Sequence, residues 1–454
     1  MPKRRAAFHN LGCKVNAWET EAMEQMLESA GYEIVPFGEP ADVTVINTCS
    51  VTNIADRKSR QMLHRAKKMN PAGAVVAVGC YVQAAAETLE RDAAVDLLIG
   101  NDRRRELPEL LEEWFTGKKP AAEEAVIDIG RSPEFENLSV TGTKEHSRAF
   151  IKVQDGCNQF CSYCIIPYTR GRVRSRKPED VLREARALAD AGYREIVVTG
   201  IHLASYGMDF REKKSAELDG RELLALLVEL DRVPGIERIR LGSLEPRIVT
   251  REFAQTLAAL PGICPHFHLS LQSGCAETLR RMNRHYTPED YARGVLELRE
   301  AFHDPAVTTD VIVGFPGETS REFQESRAFL EKTGFYEMHV FRYSRRRGTR
   351  ADAMENQVPE PVKEERSQDL IALGHRMSLH YREKWLGRPA ELLMEQEETI
   401  GGRRYLCGYS REYVRGAVPL ADGEDGKKMQ GKILAGTFSR KITDDVLQFA
   451  PVGN

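Results

Sequence analysis

The chain has 454 residues, 41% of them hydrophobic and 29% charged, with a formal net charge of −3. That length exceeds one ordinary core and predicts two or three domains. The near-neutral balance removes any global pull on nucleic acid, so RNA affinity must come from local basic patches. No apolar run is long enough to cross a bilayer, and no signal-peptide core follows the basic start Met1–Arg5, so a cytoplasmic location without a membrane is expected. Nine cysteines, an odd number, fit reduced thiols and metal better than a disulfide framework.

In the first hundred residues Arg5–His9, Asp42–Ile46, Ala74–Val78 and Val95–Ile99 read as strands, with helices at Trp18–Ala30, Ile54–Lys68 and Gln83–Arg91. Strands alternating with helices predict βαβ units and a parallel sheet. Cys13, Cys49 and Cys80 each fall just past the end of a strand, where open α/β sheets assemble their sites. Gly12 and Gly79 permit tight strand-to-loop turns. Three cysteines in equivalent places argue for a metal site of three thiols with no evident fourth ligand. The plainer reading is that each fills core space, as free cysteines often do.

Residues 116–147 are rich in Lys, Pro, Ala, Glu and Gly and read as a linker with one short strand at Ala125–Ile129. The strand Ala149–Val153 then leads into Cys157-Asn158-Gln159-Phe160-Cys161-Ser162-Tyr163-Cys164. Thiolates favour zinc, copper(I) or iron–sulfur clusters. A structural zinc site closes with four ligands, and no fourth Cys or His lies nearby in sequence. Three thiolates on a four-iron cluster instead leave one iron open for chemistry. The competing reading is a zinc knuckle that borrows a distant ligand.

Beyond that loop, strands at Glu195–Thr199, Arg238–Leu241, His266–Leu271, Thr308–Val313 and Glu337–Tyr343 alternate with helices at Pro178–Ala191, Gly220–Arg232, Arg251–Leu260, Pro288–Ala301 and Ser320–Lys332. Six β/α units predict an open relative of the TIM barrel, with its site at the strand ends. Those ends place Thr199, Gly200, Glu245 and Gln272, together with Tyr163 of the cysteine loop, as candidate cofactor contacts. His202 and His268 read as hydrogen-bonded structural residues, and Cys264, Cys275 and Cys407 as structural thiols without partner spacing.

A helix over Pro361–Trp385 precedes short strands at Ala390–Glu395, Tyr405–Ser410, Tyr413–Pro419, Gly431–Ala435 and Val446–Phe449. They predict a small closed barrel of the oligonucleotide-binding kind. Candidate RNA contacts there are Arg403, Arg404, Arg411 and Arg415 with Tyr405, Tyr409 and Tyr413. Further candidates are Arg170, Arg172, Arg174, Arg176 and Lys177 after the cysteine loop, and Arg345, Arg346, Arg347 and Arg350 after the last barrel strand. Ordinary solvated faces are the alternative.

The CxxxCxxC spacing, with Tyr163 before its third cysteine, resembles the signature of radical S-adenosylmethionine (SAM) enzymes. The whole order, three separated cysteines in an α/β domain, then that motif in a partial barrel, then a small β domain, resembles the methylthiotransferases. The resemblance implies an α/β multidomain fold divided into 1–115, a linker at 116–147, a radical-SAM (β/α)6 domain at 148–385 and a TRAM β-barrel at 386–454. It implies two [4Fe–4S] clusters, one on Cys157, Cys161 and Cys164 that cleaves SAM, and one on Cys13, Cys49 and Cys80 that carries sulfur. It also implies SAM contacts from the strand-end candidates, a tRNA anticodon loop as substrate, and an electron donor such as flavodoxin or ferredoxin.

Leu11-Gly12-Cys13-Lys14-Val15-Asn16, Asn47-Thr48-Cys49-Ser50-Val51-Thr52 and Asp310-Val311-Ile312-Val313-Gly314-Phe315-Pro316-Gly317-Glu318-Thr319 are similar to the branch acting on N6-threonylcarbamoyladenosine at tRNA position 37. Gly242 departs from it mildly, where serine is more usual before Ser243. Other branches act on isopentenyladenosine in tRNA or on a ribosomal-protein aspartate. A reading of another class is a non-catalytic RNA-binding protein with zinc in both cysteine sets. The adenine C2–H is beyond acid–base catalysis of the usual hundred- to ten-thousand-fold size, roughly, and a carbon radical drawn from a cofactor meets that demand.

Overall fold

The computed structural model describes residues 3–118, 126–131, 134–142, 147–211, 217–421 and 423–452. Strands β1 (Arg5–Asn10), β2 (Glu33–Val35), β3 (Val43–Thr48), β4 (Ala74–Gly79) and β5 (Leu97–Ile99) form one sheet in the order β2-β1-β3-β4-β5, with every pairing parallel. The central strands β3 and β4 are buried along their whole length. Helices cover both faces of such a sheet, so these strands carry near-continuous apolar runs rather than an alternation. Two elements go beyond the sequence reading. The edge strand β2 is too short to show a period, and the helix Leu107–Phe115 packs Leu107 and Leu111 into the core formed by Val43, Val76 and Ile99.

The strand expected at Ala125–Ile129 does not form among the described residues. Residues 126–128 are irregular and Ile129–Arg131 is a 3-10 turn, while Ala125 lies outside the described residues.

The second body is built from β6 (Ala149–Asp155), β7 (Arg174–Ser175), β8 (Glu195–Gly200), β9 (Arg238–Leu241), β10 (His266–His268), β11 (Ala306–Val313) and β12 (Glu337–Arg342). One sheet runs β7-β6-β8-β9 and another β10-β11-β12. Parallel bridges Ile239–Ile263 and Leu244–Leu269 join them. The six parallel strands β6, β8, β9, β10, β11 and β12 thus follow one another as the sequence predicts, and β7 adds a short antiparallel edge. Valine and isoleucine side chains on the outer face of these strands pack against the surrounding helices in the largest core of the chain. β10 ends at His268, short of the expected Leu271. Gln272 takes φ +71° and interrupts the ladder, leaving a single bridge to Val311.

Strands β13 (Pro389–Ile400), β14 (Arg403–Tyr409), β15 (Arg415–Pro419), β16 (Ile433–Lys441) and β17 (Leu447–Pro451) close a barrel in the order β13-β14-β15-β17-β16. β15 starts two residues later than expected because Tyr413 adopts φ +68° in the preceding turn. The barrel is seated on the central body by hydrogen bonds. Arg238 donates to the carbonyls of Tyr409 and Glu391, and Arg240 to those of Ser410 and Arg411. Among the described residues, no helix is long and apolar enough to cross a membrane.

Candidate metal centre

Cys13 follows β1, Cys49 follows β3 and Cys80 follows β4, so the parallel sheet delivers all three thiols to one edge. Gly79, at φ +99°, makes this possible at Cys80. A Cβ there would stand 2.5 Å from Asn47 Oδ1 and 2.8 Å from the Thr48 carbonyl. Cys13 caps the helix Lys14–Ser29 and Cys80 opens the helix Cys80–Glu90, positions whose dipole favours a thiolate. Burial pushes the Cys49 thiol up to about 11, with Cys80 and Cys13 adding to the rise. Desolvation by its surroundings likewise raises Cys13, although the residue is exposed.

The second set is held by a tightly pinned loop. Gly156, at φ +69°, has no room for any side chain, since a Cβ would stand 1.8 Å from the Arg172 carbonyl oxygen. The Cys157 amide donates to the Gly171 carbonyl at 3.0 Å and the Ser162 amide to the Met282 carbonyl at 2.9 Å. Asn283 donates to the Phe160 carbonyl at 3.0 Å, and Arg284 places a guanidinium nitrogen 3.2 Å from Cys161 Sγ. Burial pushes Cys157 up to about 12 and raises Cys164 further, and neighbouring thiolates raise both. Ligation therefore has to supply the charge that deprotonates them.

The thiol spacing tests which metal fits. Tetrahedral zinc with Zn–S near 2.3 Å draws its sulfurs to ~3.8 Å of one another. Among the described residues, the group of ligand atoms that converges within 4.8 Å is His268, Asp310 and His339, and neither cysteine triad reaches that spacing. Three soft thiol donors per site suit an iron–sulfur cluster with one open iron.

A buried ion network lies between the two sets. Glu19, on the helix that Cys13 caps, receives Lys152 Nζ at 2.7 Å and Arg170 Nη1 at 2.8 Å, with Arg104 at 3.1 Å. Asp155, two residues before Cys157, receives Lys152 at 2.5 Å and Arg170 at 3.2 Å. Arg170 Nε donates to Cys80 Sγ at 3.2 Å, and its Nη2 reaches Asn16 Oδ1 at 2.8 Å. Burial opposes charge on Glu19, but Arg104, Arg170 and Lys152 overcome it and hold the carboxyl down at about 2.

At the strand ends, Glu245 binds His202 Nε2 at 2.7 Å and pairs with Arg247, whose other arm reaches Gln159 of the cysteine loop at 3.0 Å. Although burial raises the Glu245 carboxyl, His202 and Arg247 bring it down to about 2. His202 Nδ1 lies 2.6 Å from Ser205 Oγ, the hydrogen-bonded role expected of it. Thr199 and Gln272 are buried, and Gly200 lies against Gln154, where a Cβ would stand 3.0 Å from the Gln154 Cβ. Tyr163 packs edge-on against Phe315 of the Gly-Phe-Pro-Gly turn, with ring centroids 6.3 Å apart. The sequence reading missed Arg247, Asn283 and Arg284, because nothing in linear spacing ties them to the cysteine loop.

The basic runs divide into two classes, which corrects part of the sequence reading. Arg170, Arg174 and Arg346 are buried, so they cannot serve as surface phosphate contacts. Arg346 is spent on Asp56 at 2.6 Å and Ser50 at 2.8 Å, and Arg174 faces Asp102 and Asp155. Arg176 is buried as well, paired with Glu184 at 2.6 Å. Arg172, Arg345, Arg403 and Arg404 are exposed. Tyr409 and Tyr413 stack on each other at 4.6 Å beside Arg148, and Arg411 donates to the Ile263 carbonyl at 2.9 Å. Those three serve the seat of the terminal barrel rather than an outer face.

A family model described as the Radical SAM superfamily matches residues 151–330, and one described as Uncharacterized protein family UPF0004 matches residues 5–100. The chain is 40% identical over 452 residues, 97% of its own length and 98% of the relative's, to a protein of Bacillus subtilis (strain 168) named threonylcarbamoyladenosine tRNA methylthiotransferase MtaB. It is 39% identical to the protein of that name from Aquifex aeolicus, covering 88% of this chain and 95% of the relative. A tRNA-2-methylthio-N(6)-dimethylallyladenosine synthase of Caldicellulosiruptor saccharolyticus is 37% identical, covering 85% of this chain and 80% of the relative. Among solved structures, the radical SAM methyltransferase TsrM from Kitasatospora setae, with cobalamin and a [4Fe-4S] cluster bound, aligns with a TM-score of 0.58. At 16% identity, covering 77% of each chain, that likeness concerns the fold.

Proposed function

Because the chain belongs to the radical SAM tRNA methylthiotransferase family, we propose that it adds a methylthio group to C2 of N6-threonylcarbamoyladenosine at position 37 of tRNA. The observation that carries the choice of nucleoside is the 40% identity along 97% of the chain to a relative named for that activity.

Cys157, Cys161 and Cys164 would hold one [4Fe–4S] cluster, and Cys13, Cys49 and Cys80 a second. When bound, the first supplies reductive cleavage of SAM to a carbon radical and the second supplies the sulfur. The chain's own residues set the conditions for both. Arg284 at Cys161 and Arg170 at Cys80 donate to ligand sulfurs, which raises a cluster's potential. Glu245, kept anionic by His202 and Arg247, suits the cationic amino group of SAM. Thr199, Gly200, Gln272 and Tyr163 complete the proposed SAM wall, and Gln272 turns the backbone at that wall with its positive φ.

The proposed division of the chain is 1–115, the linker 116–147, the radical-SAM domain 148–385 and a TRAM domain at 386–454. The anticodon loop of tRNA is the proposed macromolecular partner, gripped through Arg172, Arg345, Arg403 and Arg404. A flavodoxin or ferredoxin supplies electrons, and the protein works in the cytoplasm.

The test is nucleoside analysis of tRNA from a strain lacking the protein. Loss of 2-methylthio-N6-threonylcarbamoyladenosine with its unmethylthiolated precursor accumulating is the expected result. Loss of the methylthio-isopentenyl nucleoside instead would move the chain to the other tRNA branch.

A further inference from the structure

The inner face of β10, β11 and β12 carries a third group of ligand-type side chains. Side chains alternate along a strand, and the packing fixes which ones point inward. On β11, Val307, Val311 and Val313 join the outer core, which leaves Thr308, Asp310 and Ile312 on the opposite face. Ile312 packs against the same buried cluster (Met282, Phe315, Tyr343 and Ala351) as Tyr163 of the cysteine loop, so that face is the one turned to the site. On β12, Met338 and Val340 pack outward, leaving His339 inward. Asp310 is in register with His339, and Thr308 with His268. Three neighbouring strands therefore present His268, Asp310 and His339 side by side, with ligand atoms all within 4.8 Å of one another.

We propose that His268, Asp310 and His339 bind one divalent transition-metal ion of the zinc or iron(II) class, separate from both cysteine sites. Two imidazoles and one carboxylate suit such ions better than magnesium or calcium, which prefer oxygen. Thr308 Oγ1 lies 3.0 Å from His268 Nδ1. With Nδ1–H donating to that hydroxyl, His268 turns its Nε2 lone pair toward the group, the arrangement that orients histidine ligands in metal sites. Nε2 then faces Asp310 Oδ2 at 3.3 Å. Two lone pairs at that distance repel unless a cation or a proton stands between them.

His339 is exposed, and its ring meets that of His268 at 5.9 Å, near-parallel at 27°. No hydrogen bond ties its ring nitrogens among the described residues. Three protein ligands and an exposed side leave coordination positions free toward the interior of the barrel. That is the pattern of a site that takes a further ligand rather than a closed structural one.

The test uses the full chain with its clusters reconstituted anaerobically, dialysed against a zinc buffer, with zinc and iron then measured per chain. The expected result is about one zinc beyond the iron. His339→Ala, an exposed change that leaves the fold alone, should weaken zinc binding at least tenfold, and Thr308→Val by roughly ten- to a hundredfold, with iron unchanged in both. Equal zinc in wild type and variants, or zinc gained only as iron is lost, would overturn the proposal. Absence of zinc from the wild type would too. The readout does not depend on which tRNA nucleoside is modified.

Discussion

Arg170 touches both cysteine neighbourhoods with one guanidinium: its Nε lies 3.2 Å from Cys80 Sγ while Nη1 holds Glu19 at 2.8 Å and Asp155 at 3.2 Å. The group is fully buried, so these bonds act where water cannot replace them. Arg170→Met leaves Glu19 and Asp155 with one cation fewer, and breaking a buried network of this kind costs about 3–5 kcal/mol. Arg170→Lys keeps the charge but cannot span all three partners. Urea unfolding should place the lysine variant between wild type and Arg170→Met. The reduction potential of the amino-terminal cluster should fall in both variants, because the donor to its sulfur is gone.

Iron content separates the two cysteine sets. Two [4Fe–4S] clusters predict about eight irons per chain after anaerobic reconstitution. Replacing Cys157, Cys161 and Cys164 by alanine should leave about four, and replacing Cys13, Cys49 and Cys80 should also leave about four. Only the first variant should lose production of 5′-deoxyadenosine from SAM. Gly156→Ala should behave like the first, because its Cβ would collide with the Arg172 carbonyl.

Acid should unlock the ion network before it unfolds the cores. The Glu19 carboxyl sits at about 2 in the folded chain against an ordinary 4.5. A depressed carboxylate stabilises the fold fully above its unfolded value, and that contribution is lost as pH falls through the folded value. Stability should therefore drop between about pH 4.5 and pH 2. Glu19→Gln should be less stable at pH 7 and show a flatter decline over the same window, measured by urea unfolding of cluster-free protein at stepped pH.

RNA binding should divide along the burial of the arginines. Neutralising an exposed residue such as Arg403 or Arg345 should lower tRNA affinity at low salt. It should also reduce the slope of log K against log salt by about 0.7–0.9 for each phosphate that is no longer neutralised. Arg346→Ala should act mainly through stability, since its side chain is engaged by Asp56 and Ser50. A salt slope unchanged by Arg403→Ala would remove that residue from the interface.

Much of this architecture was legible in the chain because its signals are local. Val-Val-Ala-Val before Gly79-Cys80 reads as a buried strand, and the structure puts Cys80 at its carboxyl end. The six barrel strands were legible for the same reason. Arg170, Arg174 and Arg346 misled because a charge run looks the same whether it faces water or a carboxylate. Their partners, Glu19, Asp102, Asp155 and Asp56, lie tens to hundreds of residues away. Arg284 was invisible on the same ground, since its bond to Cys161 spans 123 residues. Tyr409 and Tyr413 looked like a stacking platform, and they are one, but for each other and for His266 of the central body.

The network on Glu19 also fixes an order of events during synthesis. A chain made from its amino terminus completes β1 to β5 before Lys152, Asp155 and Arg170 exist. Until they emerge, Glu19 has Arg104 as its early partner, and the edge carrying Cys13, Cys49 and Cys80 stands uncovered. Arrival of the barrel then sets Arg170 against Cys80 and buries the charge, while Cys13 stays exposed. The nascent chain therefore carries Cys13, Cys49 and Cys80, still without the Arg170 bond to Cys80, before the second set of cysteines has been made.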